Sequence, residues 1–514
     1  MAKLLQYLLL SDIDLATSIG LFLTLCAVYL LIRTLYRLFF HPLQHIPGPK
    51  LAAASHIVEF YYDVIKGGQF IFEIERWHRK YGPIVRINPR QIHISDPDYY
   101  DEIYAPSSKK RDKDPIFTAQ FGAPESIIAT VKHEHHRMRR SVMNSFFSKR
   151  SVMQLEPLIQ EKIDLLAERF IEAKQSGMVL KLEYAYAALT ADVISHYCYG
   201  KSEGYLDHHW PQNDIKDGLS GMGHFTHYFY FFPILASLTQ KLPTRLLEKL
   251  DPAAKCFVDL QGRFIEASKR AIRKGPRVDE RPSLFDALID PSLPESERSV
   301  GRLSQEAMIV LGAGTETTAN TLSIGSYHLI RNRPILLKLR EEVKQVLPNL
   351  SSRATWVQLE QLPYLTAVIN ESLRIAIGST MRSARVANEP ISYKDYVIPA
   401  GTPVMTEHHF IFYNSDIFPQ PEKFDPERWI KAAEQGNRLT KYQIAFSRGS
   451  RQCIGINMAY SELYLALAMF ARRFDFEITG TTDEDLRFVR DYEVPCGPNG
   501  PWTVQARVKE VLAD

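Results

Sequence analysis

The chain has 514 residues, which exceeds the usual size of a single core, so the length alone fits one large domain or two domains. Hydrophobic residues make up 45% of the chain and charged residues 24%, an ordinary globular composition that excludes general disorder. The 62 lysines and arginines nearly balance the 59 aspartates and glutamates, and the net charge of +3 gives no indication of nucleic-acid binding.

An uncharged apolar segment, residues 15–32, lies near the start of the chain and is close to the roughly 20 residues that cross a bilayer as a helix. Arg33 and Arg37 follow it, so its C-terminal side is expected to stay in the cytosol. A cleaved signal peptide is the alternative, but the segment is long for one and no small-residue cleavage site follows. We therefore expect a transmembrane anchor over residues 15–32, with residues 1–14 in the lumen.

The next segment, residues 33–50, ends in HPLQHIPGPK. Its three prolines and its glycine interrupt helix formation and stiffen a short connector. No repeat, low-complexity run or second linker follows. We expect a proline-rich linker over residues 33–50 and one large domain over residues 51–514.

Helical periodicity dominates this domain, and strand-like runs are few and short. The predicted helices cover residues 155–173, 184–199, 303–331, 334–347, 365–377 and 456–470. The predicted strands lie within residues 83–95, 396–406 and 476–478. The sequence thus predicts a mainly α domain with a small β-rich part.

The predicted helix over residues 303–331 contains LGAGTETTAN. Gly314 inside a helix costs about 1 kcal/mol relative to alanine, which indicates close packing or a local opening toward a ligand. Glu316 and Thr317 follow, an acid next to a hydroxyl. The alternative for the threonine is a simple hydrogen bond to a carbonyl one turn earlier.

The motif ESLR places Glu371 and Arg374 on one face of a predicted helix, where the two side chains can pair. An acid and an arginine at this spacing are common on surface helices. The pair therefore gains meaning only from the motifs around it.

The five cysteines of the chain are an odd number, and none lies in CxxC or Cys/His spacing. A disulfide framework and a structural zinc site are therefore both disfavoured, and a reducing compartment is favoured. Any function of Cys453 is expected not to involve a second cysteine.

Cys453 lies in FSRGSRQCIG, just before a predicted helix. Gly449 and Gly455 permit a tight turn and a close approach to a flat group. Arg451 adds a positive charge that favours the thiolate, and Phe446 can pack beside the sulfur. Such a thiolate suits an axial ligand of heme iron. The alternative is a cysteine buried in a turn without a ligand role.

These motifs, in this order, resemble those of the cytochrome P450 family, and their wording is closest to its microsomal, fungal-type branch. The resemblance implies the cytochrome P450 fold behind a transmembrane helix. It implies heme b as the cofactor, with Cys453 as the iron ligand in a loop that includes Phe446, Gly449 and Arg451. It also implies that Thr317 hydrogen-bonds dioxygen or its water while Glu316 relays protons from solvent.

The resemblance further implies residues that bind the heme propionates. His136 and Arg140 match one such pair, with histidine in place of the family's tryptophan, and Arg139 is the alternative if the register slips by one. Arg385 matches a second propionate-binding arginine, and Arg382 is its alternative. Arg428, in FDPERW, resembles the third member of a buried Glu–Arg–Arg network with the ESLR pair.

The function implied is a monooxygenase that uses O2 on a lipophilic small molecule, such as a terpenoid or polyketide intermediate of secondary metabolism. No GxGxxG nucleotide fingerprint is present, so electrons are expected from another protein. The resemblance implies that this protein is an NADPH-dependent flavoprotein reductase at the endoplasmic reticulum membrane. The candidate basic docking residues are Arg137, Arg139, Lys149, Arg150, Lys441, Arg448 and Arg451.

A heme-thiolate isomerase, dehydratase or peroxide-driven catalyst is the alternative, as is a sterol or fatty-acid hydroxylase. The acid–threonine pair favours the monooxygenase.

Overall fold

A computed structural model of the chain describes residues 15–207, 210–239, 252–275 and 283–513. The predicted lumenal segment, residues 1–14, lies outside the described residues. The first helices are α1 (Leu15–Phe39), α2 (Lys50–Ala54), α3 (Ile57–Phe60), α4 (Phe70–Tyr81), α5 (Tyr100–Ile103), α6 (Pro115–Thr118), α7 (His133–Asn144), α8 (Lys149–Ser176), α9 (Leu182–Tyr199), α10 (Asp214–Phe231), α11 (Pro233–Thr239) and α12 (Pro252–Lys274).

The second half of the chain is also mainly helical, and it contains the longest helix, α14, among the described residues. Its helices are α13 (Leu284–Leu288), α14 (Val300–Arg331), α15 (Arg333–Lys344), α16 (Trp356–Leu359), α17 (Pro363–Ile375), α18 (His408–Phe412), α19 (Glu427–Glu434) and α20 (Ile456–Arg473). Each long helix predicted from periodicity is present, with ends that differ by a few residues.

The strands are short. They are β1 (Ile84–Arg86), β2 (Ile92–Ile94), β3 (Arg111–Lys113), β4 (Val179–Lys181), β5 (Arg385–Ala387), β6 (Ile391–Tyr393), β7 (Tyr396–Ile398), β8 (Pro403–Met405), β9 (Phe474–Ile478), β10 (Arg490–Tyr492), β11 (Val494–Gly497), β12 (Gly500–Pro501) and β13 (Gln505–Val511). One sheet has the order β1-β2-β8-β5-β3, in which β2 and β8 pair in parallel and the other neighbours are antiparallel. The other groups are β4-β13-β9, β10-β11-β12 and β6-β7. The predicted fold class, mainly α with a small β part, is confirmed.

Helix α1 continues beyond the predicted end of the apolar segment at Ile32 and stops at Phe39. The first proline of the connector is Pro42, so the sequence before it does not interrupt the helix. The first part of the predicted linker, residues 33–39, is thus helical. Every residue of α1 is at least partly exposed, and its mean hydropathy over the most apolar window is 2.3.

Helix α14 runs through the core. The Ser299 hydroxyl caps it by accepting a hydrogen bond from the Arg302 backbone N–H at 3.0 Å. The helix ends at Arg331, before Pro334. It packs against α9, α12, α17 and α20, and the apolar side chains of these helices form the largest buried cluster of the described residues. This packing places the glycine and threonine motif of α14 in the interior.

Candidate functional site

An internal cavity of about 330 Å³ lies between α14, α7 and the loop that precedes α20. Much of its lining is apolar and includes Ile127, Ile194, Ile309, Val310, Leu373 and Leu463. A mainly apolar cavity with a few polar groups is typical of a site for a lipophilic small molecule or a cofactor.

The loop from Phe446 to Gly455 holds Cys453 at the wall of this cavity. The Cys453 backbone N–H donates to the Phe446 carbonyl at 2.9 Å, which closes the turn. The Phe446 ring packs on the Tyr460 ring of α20, with 5.1 Å between centroids. The Cys453 side chain is accessible from the cavity that it lines, although the surrounding protein buries it. Its sulfur is thus available to a ligand inside the protein.

Gly449 permits the loop to approach the segment after α5. Its φ is +72°, and a Cβ at this position would lie 2.2 Å from the carbonyl oxygens of Tyr104 and Ala105. Only glycine both adopts this positive φ without strain and has no Cβ to collide with these oxygens. Gly449 therefore holds the cysteine loop against its neighbour, and this packing is how it contributes to the site.

The pKa of the Cys453 thiol is raised by burial, while a hydrogen bond from the Gly455 backbone and the charge of Arg140 lower it. The Arg140 guanidinium also donates to the carbonyl of Gln452, the residue before the cysteine, at 2.6 Å. Arg451 instead donates to two backbone carbonyls ahead of α7, at 2.6 and 2.7 Å. The prediction that Arg451 favours the thiolate is therefore wrong, and Arg140 is the cation that does so.

Six basic side chains line the cavity: Lys113, His136, Arg140, Arg385, His408 and Arg451. Burial, then the charges of its basic neighbours, lowers the pKa of His136 to about 2. Burial, then Arg385, lowers the pKa of Arg451 to about 9, and the pKa of Lys113 is lowered well below its usual value. Such mutual repulsion indicates a site for an anion. Lys113 was not predicted, because it lies in a run of charged residues without a recognisable motif.

The residues of this wall fit heme. Glu462 is the only carboxylic acid among the described residues that line the cavity, and burial raises its pKa well above the usual value, so it stays neutral. The excess positive charge is therefore not balanced within the lining. The two propionates of a heme would balance it, and the thiolate of Cys453 would bind its iron.

The two alternative arginines face elsewhere. Arg139 is buried against Glu297, with its Nε 2.8 Å from the carboxylate, and it also donates to the Thr130 hydroxyl at 2.8 Å. Arg382 pairs with Asp63. The structure thus places Arg140 and Arg385 at the cavity, as the main prediction had them.

On α14, Thr317 lines the cavity, and its hydroxyl donates to the Ala313 carbonyl at 3.1 Å. The carbonyl bond considered for this threonine is therefore present, but the side chain is exposed to the cavity. Gly314 lies beside it, where a Cβ would come within 2.9 Å of the Ile194 side chain of α9. The glycine therefore serves close helix packing rather than a break in the helix, which is continuous here.

Glu316 points away from the cavity lining and forms an ion pair with Lys216 of α10. Both side chains are mostly buried. The Oε2 atom of Glu316 has no hydrogen-bond partner within the described parts of the chain. Lys216 was not predicted, because it lies 100 residues earlier and belongs to no motif.

Glu371, Arg374 and Arg428 form the predicted buried network. Arg374 donates to both carboxylate oxygens of Glu371, at 3.0 and 2.8 Å, and Arg428 donates at 3.1 Å. The Trp429 indole adds a fourth hydrogen bond at 2.9 Å. Despite burial, these partners keep the pKa of Glu371 below its usual value, so the carboxylate is charged.

Comparison with known proteins gives the family of the chain. A sequence profile of the family described as Cytochrome P450 matches residues 54–494. Among curated relatives, Cytochrome P450 monooxygenase aflU of Aspergillus parasiticus is 45% identical over 484 residues, which cover 94% of this chain and 96% of the relative. Conidiogenone synthase PchP450 of Penicillium rubens is 42% identical, covering 89% of this chain and 92% of the relative. Cytochrome P450 monooxygenase TRI4 of Fusarium sporotrichioides is 42% identical, covering 93% and 92%.

Proposed function

We propose that Cys453 is the heme ligand of this chain and that its substrate is a lipophilic small molecule. The chain belongs to the cytochrome P450 family and is a cytochrome P450 monooxygenase. Family members bind heme through a cysteine thiolate, and the heme supplies the activation of O2. The observation that carries the proposal is the Cys453 sulfur at the wall of a cavity whose lining has an unbalanced positive charge.

The residues of the cavity would divide the work as follows. His136, Arg140 and Arg385 hold the propionates, and Lys113 adds a further hydrogen-bond donor. Arg140 also stabilises the thiolate. The apolar walls bind the substrate and exclude water, which limits side reactions.

Thr317 and Glu316 would handle protons. The Thr317 hydroxyl is oriented by the Ala313 carbonyl and presents its lone pairs to the cavity. Glu316 lies one residue away, and its free Oε2 can accept a proton and pass it on when its pair with Lys216 opens. Proton transfer by positioned side chains typically contributes about 10²–10⁴-fold to rates.

The Thr317→Ala variant is expected to bind heme normally but to release more hydrogen peroxide. Without the hydroxyl, proton delivery in the cavity is no longer controlled, and we expect peroxide formed per NADPH consumed to rise by about tenfold. Peroxide and NADPH are measured with a reductase present. Thr317→Ser, which keeps the hydroxyl, is the matched control. Unchanged coupling in the alanine variant would contradict the role given to Thr317.

The substrate class follows from the relatives and the cavity. Their names include fungal monooxygenases and a conidiogenone synthase, and we propose a terpenoid or polyketide intermediate of secondary metabolism. The runner-up, an isomerase, dehydratase or peroxide-driven catalyst, does not need an acid–threonine pair. The position of Thr317 at the cavity favours the monooxygenase.

Electrons would come from an NADPH-dependent flavoprotein reductase that docks near the cysteine loop. The predicted basic face needs correction, since Arg139 is buried and Arg451 donates to carbonyls at the cavity. Four of the other residues pair with carboxylates: Arg137 with Glu134, Lys149 with Glu360, Lys441 with Asp98 and Arg448 with Asp101. Arg137 and Arg150 are exposed, and the 3.9 Å pair of Arg137 is the longest of the four, so these two arginines remain the best candidates for docking.

Electron transfer from the reductase is expected to slow as salt is added. Raising the ionic strength from about 0.05 to about 0.5 M shortens the screening length severalfold and weakens docking between opposite charges. Stopped-flow reduction of the heme measures this rate. The Arg137→Ala/Arg150→Ala variant should show less salt dependence, and Lys269→Ala on α12 is the matched control. A rate in the wild-type protein that ignores salt would exclude electrostatic docking.

Membrane attachment at the endoplasmic reticulum is supported by α1 and by apolar side chains beyond it. Leu51, Ile57, Phe232 and Ile234 are all exposed. The Phe60 ring contacts the rings that end α10, at 5.2 and 6.1 Å between centroids, so the two exposed segments lie together. A bilayer would cover such a surface.

A further inference from the structure

A second, smaller cavity adjoins the main one. Its volume is about 10 Å³, which accommodates one water-sized group. It lies between the turn Ala119–Phe121, α10 and the β10–β11 hairpin. Met381 lines both cavities, so its flexible side chain lies at the boundary between them.

The small cavity is lined by polar groups that lack partners. The Gln120 Nε2, the Thr226 Oγ1 and the Glu493 Oε1 atoms have no hydrogen-bond partner among the residues that the structure describes. Gln120 is 7% exposed and Thr226 is 2% exposed. The Thr226 hydroxyl lies close to the Glu493 carboxyl and lowers its pKa against the larger effect of burial, but each of these groups can form more than one hydrogen bond. Buried polar groups rarely stay unpaired in native proteins, so a ligand atom is expected here.

The surrounding groups are already paired and form a fixed frame. Arg382 pairs with Asp63, and the His227 ring is 2.7 Å from the Asp491 carbonyl. The Asp491 carboxylate accepts hydrogen bonds from the Thr380 hydroxyl and from a backbone N–H. The three unpaired atoms are therefore the ones left for a ligand.

The chemistry of the ligand follows from these three atoms. The Gln120 amide nitrogen can only donate, so the ligand must offer a lone pair, which an ammonium group lacks. Burial, then the charge of Asp491, raises the pKa of Glu493 to about 8, so its carboxyl is mainly protonated at neutral pH and donates as well. An anionic ligand would face the nearby Asp491 carboxylate. A neutral hydroxyl pairs with all three groups, since it accepts from Gln120 and Glu493 and donates to Thr226, while a carbonyl oxygen accepts from two of them.

We propose that the substrate is an oxygenated lipophile whose apolar skeleton fills the main cavity while one hydroxyl or carbonyl oxygen, remote from the carbon that is oxidised, binds between Gln120, Thr226 and Glu493. This inference rests on the proposed function. The enzyme would accordingly act after a reaction that leaves oxygen on the skeleton, and the oxygen would fix which carbon lies nearest the heme.

The test uses the heme-loaded full chain and two probes of equal length, dodecane and 1-dodecanol. Their dissociation constants are measured from the shift of the Soret band. We expect the wild-type protein to bind the alcohol about tenfold more tightly than the alkane, since the alcohol satisfies groups that the alkane leaves unpaired. Each preparation is first shown to give the thiolate band with carbon monoxide. A missing band would contradict the proposed function itself, whereas a normal band with equal affinities would contradict only the inference about the small cavity.

Two isosteric variants locate the effect. Thr226→Val and Gln120→Leu should each weaken binding of 1-dodecanol by about fivefold to tenfold and change binding of dodecane by less than about twofold. Thr226→Ser, which keeps the hydroxyl, should bind like the wild type. Equal affinity of the wild type for both probes, no binding of the alcohol, or equal losses for both probes in the variants would overturn the inference. Any of these results would mean that the small cavity holds only water or serves packing.

Discussion

Replacement of Cys453 by alanine is expected to abolish the thiolate spectrum and turnover together. The sulfur of Cys453 lies at the wall of the main cavity, and the other four cysteines lie elsewhere in the chain. Without it, the heme would lack an axial protein ligand of the kind that activates O2 in this family. We expect little or no heme with a thiolate signature and no product formation.

The control for this variant is Cys256→Ala, which changes a half-buried cysteine on α12 that does not touch the cavity. It should keep the spectrum and the activity of the wild type. Absorption spectra of the reduced, carbon monoxide-bound proteins give the comparison. If Cys453→Ala retained the thiolate band, the assignment of the ligand would be wrong.

Replacement of Arg374 by leucine is expected to destabilise the folded protein by about 3–5 kcal/mol, because it leaves the buried Glu371 carboxylate without its main partner. Arg374 also donates to the Phe412 carbonyl at 2.9 Å, so the substitution would remove this hydrogen bond between α17 and α18. The side-chain amide of Gln443, which precedes the cysteine loop, donates to the Asn370 carbonyl next to Glu371 at 2.8 Å. We therefore expect heme loss to accompany unfolding.

Urea unfolding of the heme-loaded protein measures this change, with heme absorption and fluorescence as two probes. The matched control is Arg353→Leu, since Arg353 forms an exposed pair with Asp164 at 2.9 Å and its loss should cost less than about 1 kcal/mol. A cost for Arg374→Leu no greater than that of the control would show that the buried network does not stabilise the fold.

Local sequence was enough to predict the parts of the site that lie within one segment. The cysteine loop, the acid–threonine pair and the ESLR pair each lie within a few residues, and the structure forms them as helical or turn geometry requires. The preference for Arg140 over Arg139 came from the resemblance, and helix geometry alone predicts only that these neighbours face in different directions. In the structure Arg140 meets the cavity and Arg139 pairs with Glu297.

Contacts between distant segments were beyond prediction from one sequence. Lys216 pairs with Glu316, which lies 100 residues later in the chain. Lys113, at the end of β3, lies beside the other basic side chains of the cavity but belongs to no motif. The direction of the Arg451 side chain depends on carbonyls ahead of α7, so nearness to the cysteine in sequence was misleading. The end of α1 at Phe39 was missed because hydrophobicity, rather than helix-stopping residues, was used to set the boundary.

The most direct test of the account is the difference spectrum of the reduced wild-type protein with and without carbon monoxide. Ligation by Cys453 predicts one bound heme per chain and a Soret band at the long wavelength that thiolate ligation produces. A purified protein that binds no heme, or a band at the shorter wavelength of a nitrogen-ligated heme, would contradict it.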